Sequence, residues 1–448
     1  MLTEFSGINA AQALINGTRD LLQDATFTER HRTSKKHFTR RRALTFMNVI
    51  VFLLQKSVRS VQLHLHSLFA ALGRLEEAVT ASAWSQGRMK LRHTAFIELN
   101  ERTVLEVVYH RPSDFEVRRW RGHRLLGIDS SLVRLPANEL VGQEFGWVEC
   151  KNTQGACGRY PQARLSALTD LLNRIVIEAK LVPWGHGERG LAVEHLRAMA
   201  AEDLGLLDRG YASYELFAQF QAQGPRFVCR CPKSSFAAVN QLFRENVAGR
   251  SVITQVRVHH EDRAAIREAG LPEVISLRLV TVRLSTGELE VLATNLLDQE
   301  RYPTSEFGAL YHCRWGIETY YGLIKGRLDL ERFTGRTPEA IRQDVFATVF
   351  LSNLESVLTR PSEEQLRTQS EASIHPQQVN HAVSFHAIKS QIIPLLLSRQ
   401  PVEQLLEQLR RLFLANPVSI RPQRKVPRRK QSAWRSYHYQ RNTRKAVF

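Results

Sequence analysis

A chain of 448 residues with 43% hydrophobic and 24% charged side chains has room for several domains and a sizeable core. Its 62 Lys and Arg against 44 Asp and Glu leave a net charge of +18, a balance that suits a polyanionic partner. Several classes are excluded: no run approaches the roughly eighteen apolar residues of a membrane span, the start lacks the basic and apolar regions of a signal peptide, and the five cysteines lack zinc-knuckle spacing.

The charge is concentrated at two places. Seven Lys or Arg and no acid fall between Arg30 and Arg42, and ten more with no acid follow from Arg421 to the end. Together they supply 17 of the 18 net charges and read as electrostatic arms for a polyanion. Trp434, Tyr437 and Tyr439 interleave the second block, which suits contact with nucleic acid better than simple hydration.

Taken in order, residues 1–115 read as a helical region that carries the first basic arm. Phe46–Leu54 predicts a buried helix, and Thr80–His93 a capped helix with a basic face. That second helix suits either the recognition helix of a helix-turn-helix unit or a surface helix of an all-α bundle. From 120 to 230 strands alternate with helices. Leu125–Ile128 is an apolar run ending in Asp129, followed by strands over Ala163–Leu168 and Arg174–Leu181, a helix over Leu191–Ala201, a strand over Leu204–Asp208 and a helix over Tyr214–Gln223. Alternation at Phe227–Cys231 predicts a strand with Cys229 and Cys231 on one face. Residues 231–300 are β-rich, with strands over Val252–Val258, Ile275–Leu284 and Glu288–Thr294, a hairpin turn at Ser285-Thr286-Gly287, and a polar loop at His259-His260. Residues 301–358 hold a helix near 311, and residues 359–448 a polar linker from Pro361 to His375, a helix with an apolar stripe from Val402 to Phe413, and the basic tail. The stripe either packs on the body or dimerises.

The helix near 311 carries the densest chemistry. At about 100° per residue, Tyr311, Arg314, Glu318 and Lys325 fall on one stripe, and Gly322 on the same stripe leaves room for a ligand near the backbone. Arg314 and Glu318 also have the spacing of an ordinary ion pair. Asp129 at its strand end reads as an acid delivered to a site or as a turn cap, and Asp208 as the same or as a helix N-cap. Asp203 precedes the apolar run and belongs to a helix-to-strand loop.

The spacing Tyr-x2-Arg-x3-Glu-x6-Lys resembles the signature of the DDE transposases of bacterial insertion sequences, the IS-four family in particular. The strings around Asp129 and Asp208 resemble the family's first and second catalytic motifs, and the resemblance extends over roughly residues 25–440. It implies an α/β fold: an RNase-H-like catalytic domain interrupted by an antiparallel β insertion and flanked by helical N- and C-terminal regions. Asp129, Asp208 and Glu318 are then the catalytic acids, sharing two divalent ions, Mg²⁺ or Mn²⁺, whose hardness suits carboxylate oxygens. Tyr311, Arg314 and Lys325 hold DNA phosphates. Arg164, in a string that resembles the family, is a further phosphate ligand or a surface arginine.

The implied function is cut-and-paste transposition by 3′ nicking, a hairpin intermediate and strand transfer. Its implied setting is double-stranded DNA of element ends and target, a homodimer in the synaptic complex, no membrane, and a cytoplasmic, nucleoid-associated location. A nuclease of the same fold without strand transfer and a non-catalytic DNA-binding repressor are the alternatives. Relatives stack a flipped base on an aromatic of the insertion; this chain has no Trp between Trp184 and Trp315, which leaves Phe236 or a Tyr for that task.

Overall fold

Nine strands lie between residues 125 and 294: β1 (Leu125–Arg134), β2 (Trp147–Lys151), β3 (Cys157–Asp170), β4 (Ile175–Pro183), β5 (Leu204–Leu207), β6 (Arg226–Cys231), β7 (Ser251–Arg257), β8 (Val274–Arg283) and β9 (Leu289–Thr294). The computed structural model describes residues 9–40, 42–56, 60–151, 157–398 and 400–421. Arg41 of the first basic arm, and the second arm beyond Arg421 with Trp434, Tyr437 and Tyr439, lie outside the described residues. The chain divides into two compact units, one of Arg118–Leu132 with Arg164–Gly322, the other of the described residues in 1–117, 133–163 and 323–448.

In the first unit the strand order is β4-β3-β1-β5-β6-β9-β8-β7. β1, β5 and β6 are parallel neighbours. Leu125–Ile128 and all of β5 are buried, as strands covered on both faces must be. Numbered without β2, the first five strands run 3-2-1-4-5, the RNase-H-like order, with the first and fourth side by side as the sequence pattern implies. The insertion lengthens this sheet: β9 pairs antiparallel with β6, and β8 and β7 follow outward. Gly287, with φ +86°, makes the turn between β8 and β9 where the hairpin was expected. The two parts share one core, in which Leu126, Phe217, Phe227 and Cys229 pack with Val239, Ile275 and Leu279. Cys229 and Cys231 both face that core, and a fully buried Phe there contributes roughly 1.5–3 kcal/mol. Phe236 is half-buried against the same core, its ring 5.9 Å from that of Phe217, so it is engaged in packing.

The second unit is mainly helical, with β2 paired antiparallel to the start of β3. Two expectations need correction here. The polar stretch after Leu358 is not a linker, because the helix Pro338–Gln369 runs straight through Pro361. A proline removes one helical hydrogen bond and crowds the preceding turn. Here Ser362 and Leu366 are buried on its inner side and Arg360 pairs with Glu364 at 2.7 Å, so tertiary burial outweighs that local cost. The basic face expected after Thr80 also fails in part. The helix Ala81–Arg88 buries Trp84 and Gly87, and Arg88 lies 2.8 Å from Asp344 with further hydrogen bonds to Gln343, Thr334 and the Ala340 carbonyl. Of the first basic arm, Arg30 is held by Glu98, whereas Lys35, Lys36, Arg40 and Arg42 are exposed. The apolar stripe of Val402, Leu405, Leu409 and Phe413 packs within this unit, its helix against those at Ala10–Gln23, Pro338–Gln369 and His381–Leu397.

Candidate active site

β1 and β5 each end an apolar run at an aspartate. Their parallel register pairs Leu125 with Leu204, Leu126 with Gly205 and Gly127 with Leu206. Two residues further along lie Asp129, still within β1, and Asp208, just past the end of β5, close enough that the Asp208 carboxylate acts on Asp129. Asp208 leaves β5 at a tight turn, where its Oδ1 accepts from the Gly210 N–H at 2.7 Å. It is therefore both a strand-end acid and a cap. Asp129 Oδ1 accepts from the Ser130 N–H at 2.7 Å. Burial, with the Asp208 and Glu188 carboxylates nearby, pushes Asp129 up from 3.8 to about 7. Asp203, the competing acid, is fully buried on Arg124 at 2.7 Å and so belongs to an ion pair.

The third acid arrives on a helix that is not continuous with Tyr311. One helix ends at His312, a tight turn covers Cys313 and Arg314, and a second helix spans Trp315–Gly326. In the turn the Arg314 N–H bonds to the Tyr311 carbonyl at 3.1 Å and the Ile317 N–H to the Arg314 carbonyl at 3.2 Å, a tighter winding than the single helix expected. Ile317 packs on β1 at Gly127, where a Cβ would sit 3.4 Å from Ile317 Cβ and 2.9 Å from Leu171 Cδ2. This glycine lets the helix approach the strand two residues before Asp129. The hydroxyl of Tyr321, on the same helix, donates to the carbonyls of Asp129 at 2.9 Å and Leu165 at 3.1 Å. Glu318 is thereby carried by an element fastened to β1 and β3.

Arg314 is 8% exposed and donates through Nη2 to Glu318 Oε1 at 2.7 Å, while its Nε is buried without a hydrogen-bond partner. The ion pair expected from the spacing of these two residues is present. Tyr311 is buried, and its hydroxyl donates at 3.2 Å to the carbonyl of Leu207, the residue before Asp208. Lys325 falls in the other unit, with Nζ 3.9 Å from Glu331 Oε1 and its pKa lowered by burial. Gly322 is exposed, and a Cβ there would meet nothing within 4 Å.

Arg164 donates through Nη1 to Ser130 Oγ at 2.7 Å and to Glu188, and through Nη2 to the Trp184 carbonyl at 3.3 Å. Glu188 and Tyr321 went unread in the sequence. Glu188 opens a helix 58 residues after Ser130, and Tyr321 stands among apolar residues, so neither leaves a local signal. Tyr211 also lines this region, with a buried hydroxyl that has no hydrogen-bond partner.

The donor set is all oxygen and carries several negative charges in partial burial, which a hard divalent ion would relieve. Among the described residues, the group of three or more His, Cys, Asp or Glu whose ligand atoms all lie within 4.8 Å is the exposed His259, His260 and Glu261, in the loop expected to be polar. Asp129, Asp208 and Glu318 do not form such a group.

A sheet of RNase-H-like order with one acid midway along its first strand, where the expected strand end is passed, a second just beyond the end of its fourth, and a third on a following helix is the arrangement of a DDE domain. A family model described as the transposase DDE domain matches residues 120–354, and the chain belongs to that family. It is 26% identical over 278 residues to the transposase InsG for insertion sequence element IS4 of Escherichia coli strain K12, the match covering 62% of this chain and 60% of that relative. Among solved structures it is similar to a piggyBac transposase synaptic complex with hairpin DNA, at TM-score 0.40 and 11% identity, over 89% of this chain and 82% of the other. No helix among the described residues is long and apolar enough to cross a membrane.

Proposed function

We propose that this chain excises and inserts a DNA element by metal-dependent phosphoryl transfer, in a cut-and-paste reaction of 3′ nicking, a hairpin intermediate and strand transfer. The observation that carries the reading is the convergence on β1: register sets Asp208 beside Asp129, and Gly127 and Tyr321 fasten the helix of Glu318 to the same strand. Asp129, Asp208 and Glu318 are the residues that would hold two Mg²⁺ or Mn²⁺ ions. Those ions, when bound, lower the pKa of the attacking hydroxyl and stabilise the leaving oxygen.

The remaining residues work by position and charge. Asp129 would hold metal as the carboxylate, since a cation would offset the effect of burial on its carboxyl. Arg314, already within hydrogen-bond reach of Glu318, and Arg164 present guanidinium groups to strand phosphates, and Lys325 adds an ammonium. Tyr311 steadies the approach from the Leu207 carbonyl. The cations of the Arg30–Arg42 arm and those of the tail after Ile420 hold flanking duplex through its phosphates. A homodimer pairs two element ends in one complex.

The test is incubation of the full chain and Mg²⁺ with duplex DNA copied from the inverted repeats that bracket its reading frame, together with a supercoiled target. Joined product supports transposition. Cleavage without joining would replace it by a nuclease of the same fold, and binding without cleavage by a repressor.

A further inference from the structure

Beside the acids stands a carboxylate with no part in the reaction as derived above. Ser130 Oγ donates to Glu188 Oε1 at 2.6 Å, and Arg164 Nη1 donates both to Ser130 Oγ at 2.7 Å and to that same Glu188 oxygen. A guanidinium offers five N–H donors in a planar fork matched to an anion with several oxygens. Glu188 uses little of that fork. One of its oxygens takes both contacts, and Arg164 Nε is buried with no hydrogen-bond partner. The two side chains also differ in freedom. Arg164 has 15% of its side chain exposed and is tied to the Trp184 carbonyl, whereas Glu188 has 42% exposed and stands in the first turn of the helix Glu188–Leu196. Rotation about side-chain torsions alone carries the Glu188 carboxylate into water, where it is fully solvated.

We propose that Glu188 is an internal stand-in for a DNA phosphate at Arg164, displaced by the sugar-phosphate backbone of the bound strand. The proposal rests on the reading that this site acts on DNA. In the DNA-free protein the stand-in spares a half-buried guanidinium the cost of lying without a counter-charge. A phosphate, with more oxygens than the contact it replaces, fills Nε as well as Nη1. A weakly placed backbone gains less from Arg164 than Glu188 already provides, so the carboxylate raises the threshold for productive binding and favours DNA seated in register with Asp129.

Fluorescence anisotropy with a labelled duplex, in EDTA so that no strand is cut, tests this over a salt series in the full chain. Glu188→Gln keeps shape and removes the competing charge. It should bind on the order of tenfold more tightly than wild type, with the slope of log K against log salt little changed, because the same phosphate is neutralised at Arg164 in both complexes. Glu188→Ala, which removes the side chain, should shift affinity in the same direction, so that misfolding of one variant does not decide the matter. In an Arg164→Ala background the gain should vanish, because the cation for which the two anions compete is gone. An equal gain in that background would mean only general relief of negative charge and would overturn the proposal. Unchanged or weaker binding by both Glu188 variants would overturn it too, the latter marking Glu188 as a group that supports Arg164. If wild-type protein shows no salt-dependent DNA binding, the functional reading fails and this proposal with it.

Discussion

Asp129→Asn should make the metal-free protein more stable at neutral and alkaline pH, since it removes a charge that the fold holds at a cost. Burial and the neighbouring Asp208 and Glu188 push the Asp129 carboxyl from 3.8 to about 7. Between those values the unfolded chain carries an ionised carboxylate while the folded chain keeps its proton. The folded state therefore binds the extra proton, and stability falls as pH rises through that window. The effect is absent below about pH 4, where both states are protonated, and complete above about pH 7. A shift of about three units at 1.36 kcal/mol each corresponds to roughly 4 kcal/mol. Asp129→Asn keeps the shape without the ionisation, so its advantage should grow from nothing near pH 4 to roughly that size near pH 8. Added Mg²⁺ should narrow the gap, because a bound cation favours the carboxylate, and should release protons on binding near neutral pH. Thermal unfolding followed by circular dichroism, with EDTA or Mg²⁺ across this pH range, reads all three effects. Equal melting of variant and wild type near pH 8 in EDTA would refute the burial of Asp129 beside other acids from which the magnitude was worked.

Three further expectations test how the site is held. Tyr321→Phe removes the donor to the Asp129 and Leu165 carbonyls and should cost roughly 1–3 kcal/mol of stability, with cleavage lowered and DNA affinity kept; unchanged cleavage would remove Tyr321 from the positioning of Asp129. Gly127→Ala drives a methyl against Leu171 and Ile317, costs roughly 1–3 kcal/mol, and should lower cleavage, whereas Gly322→Ala meets nothing and should be milder; equal activities would show that close approach at Gly127 does not set Glu318. Truncation after Ile420 removes ten cations, and if a third to a half of them touch phosphate the salt slope of DNA binding should flatten by roughly three to five units; an unaltered slope would place the tail off the DNA.

The two strand aspartates were legible because their signal is local. A fully apolar run that ends in Asp, at Leu125–Asp129 and again at Leu204–Asp208, declares the buried stretch of a strand, though it could not show that β1 continues past Asp129 to Arg134, and the order of strands and helices then brings β1 next to β5. The stripe from Tyr311 to Lys325 was legible in composition but not in winding, because helical periodicity cannot show the tight turn at Cys313 and Arg314 that separates two helices. Other features depend on partners far along the chain. Arg88 looked like part of a basic face, yet its charge is met by Asp344, 256 residues later. Glu188 and Tyr321 acquire their roles only when β1 and β3 lie beside their helices. Pro361 shows the reverse effect, a strong local breaker inside a helix whose neighbours are buried deeply enough to continue it.

The most direct test of the central claim is Mg²⁺-dependent cleavage of element-end DNA by Asp129→Asn, Asp208→Asn and Glu318→Gln, each assayed beside its DNA affinity. All three substitutions lower metal-binding charge at nearly constant shape. Each should abolish cleavage while salt-sensitive DNA binding persists, because phosphate contacts position the strand and the acids carry the chemistry. Near wild-type cleavage by any one of them would contradict the assignment of that acid and, with it, the three-acid site.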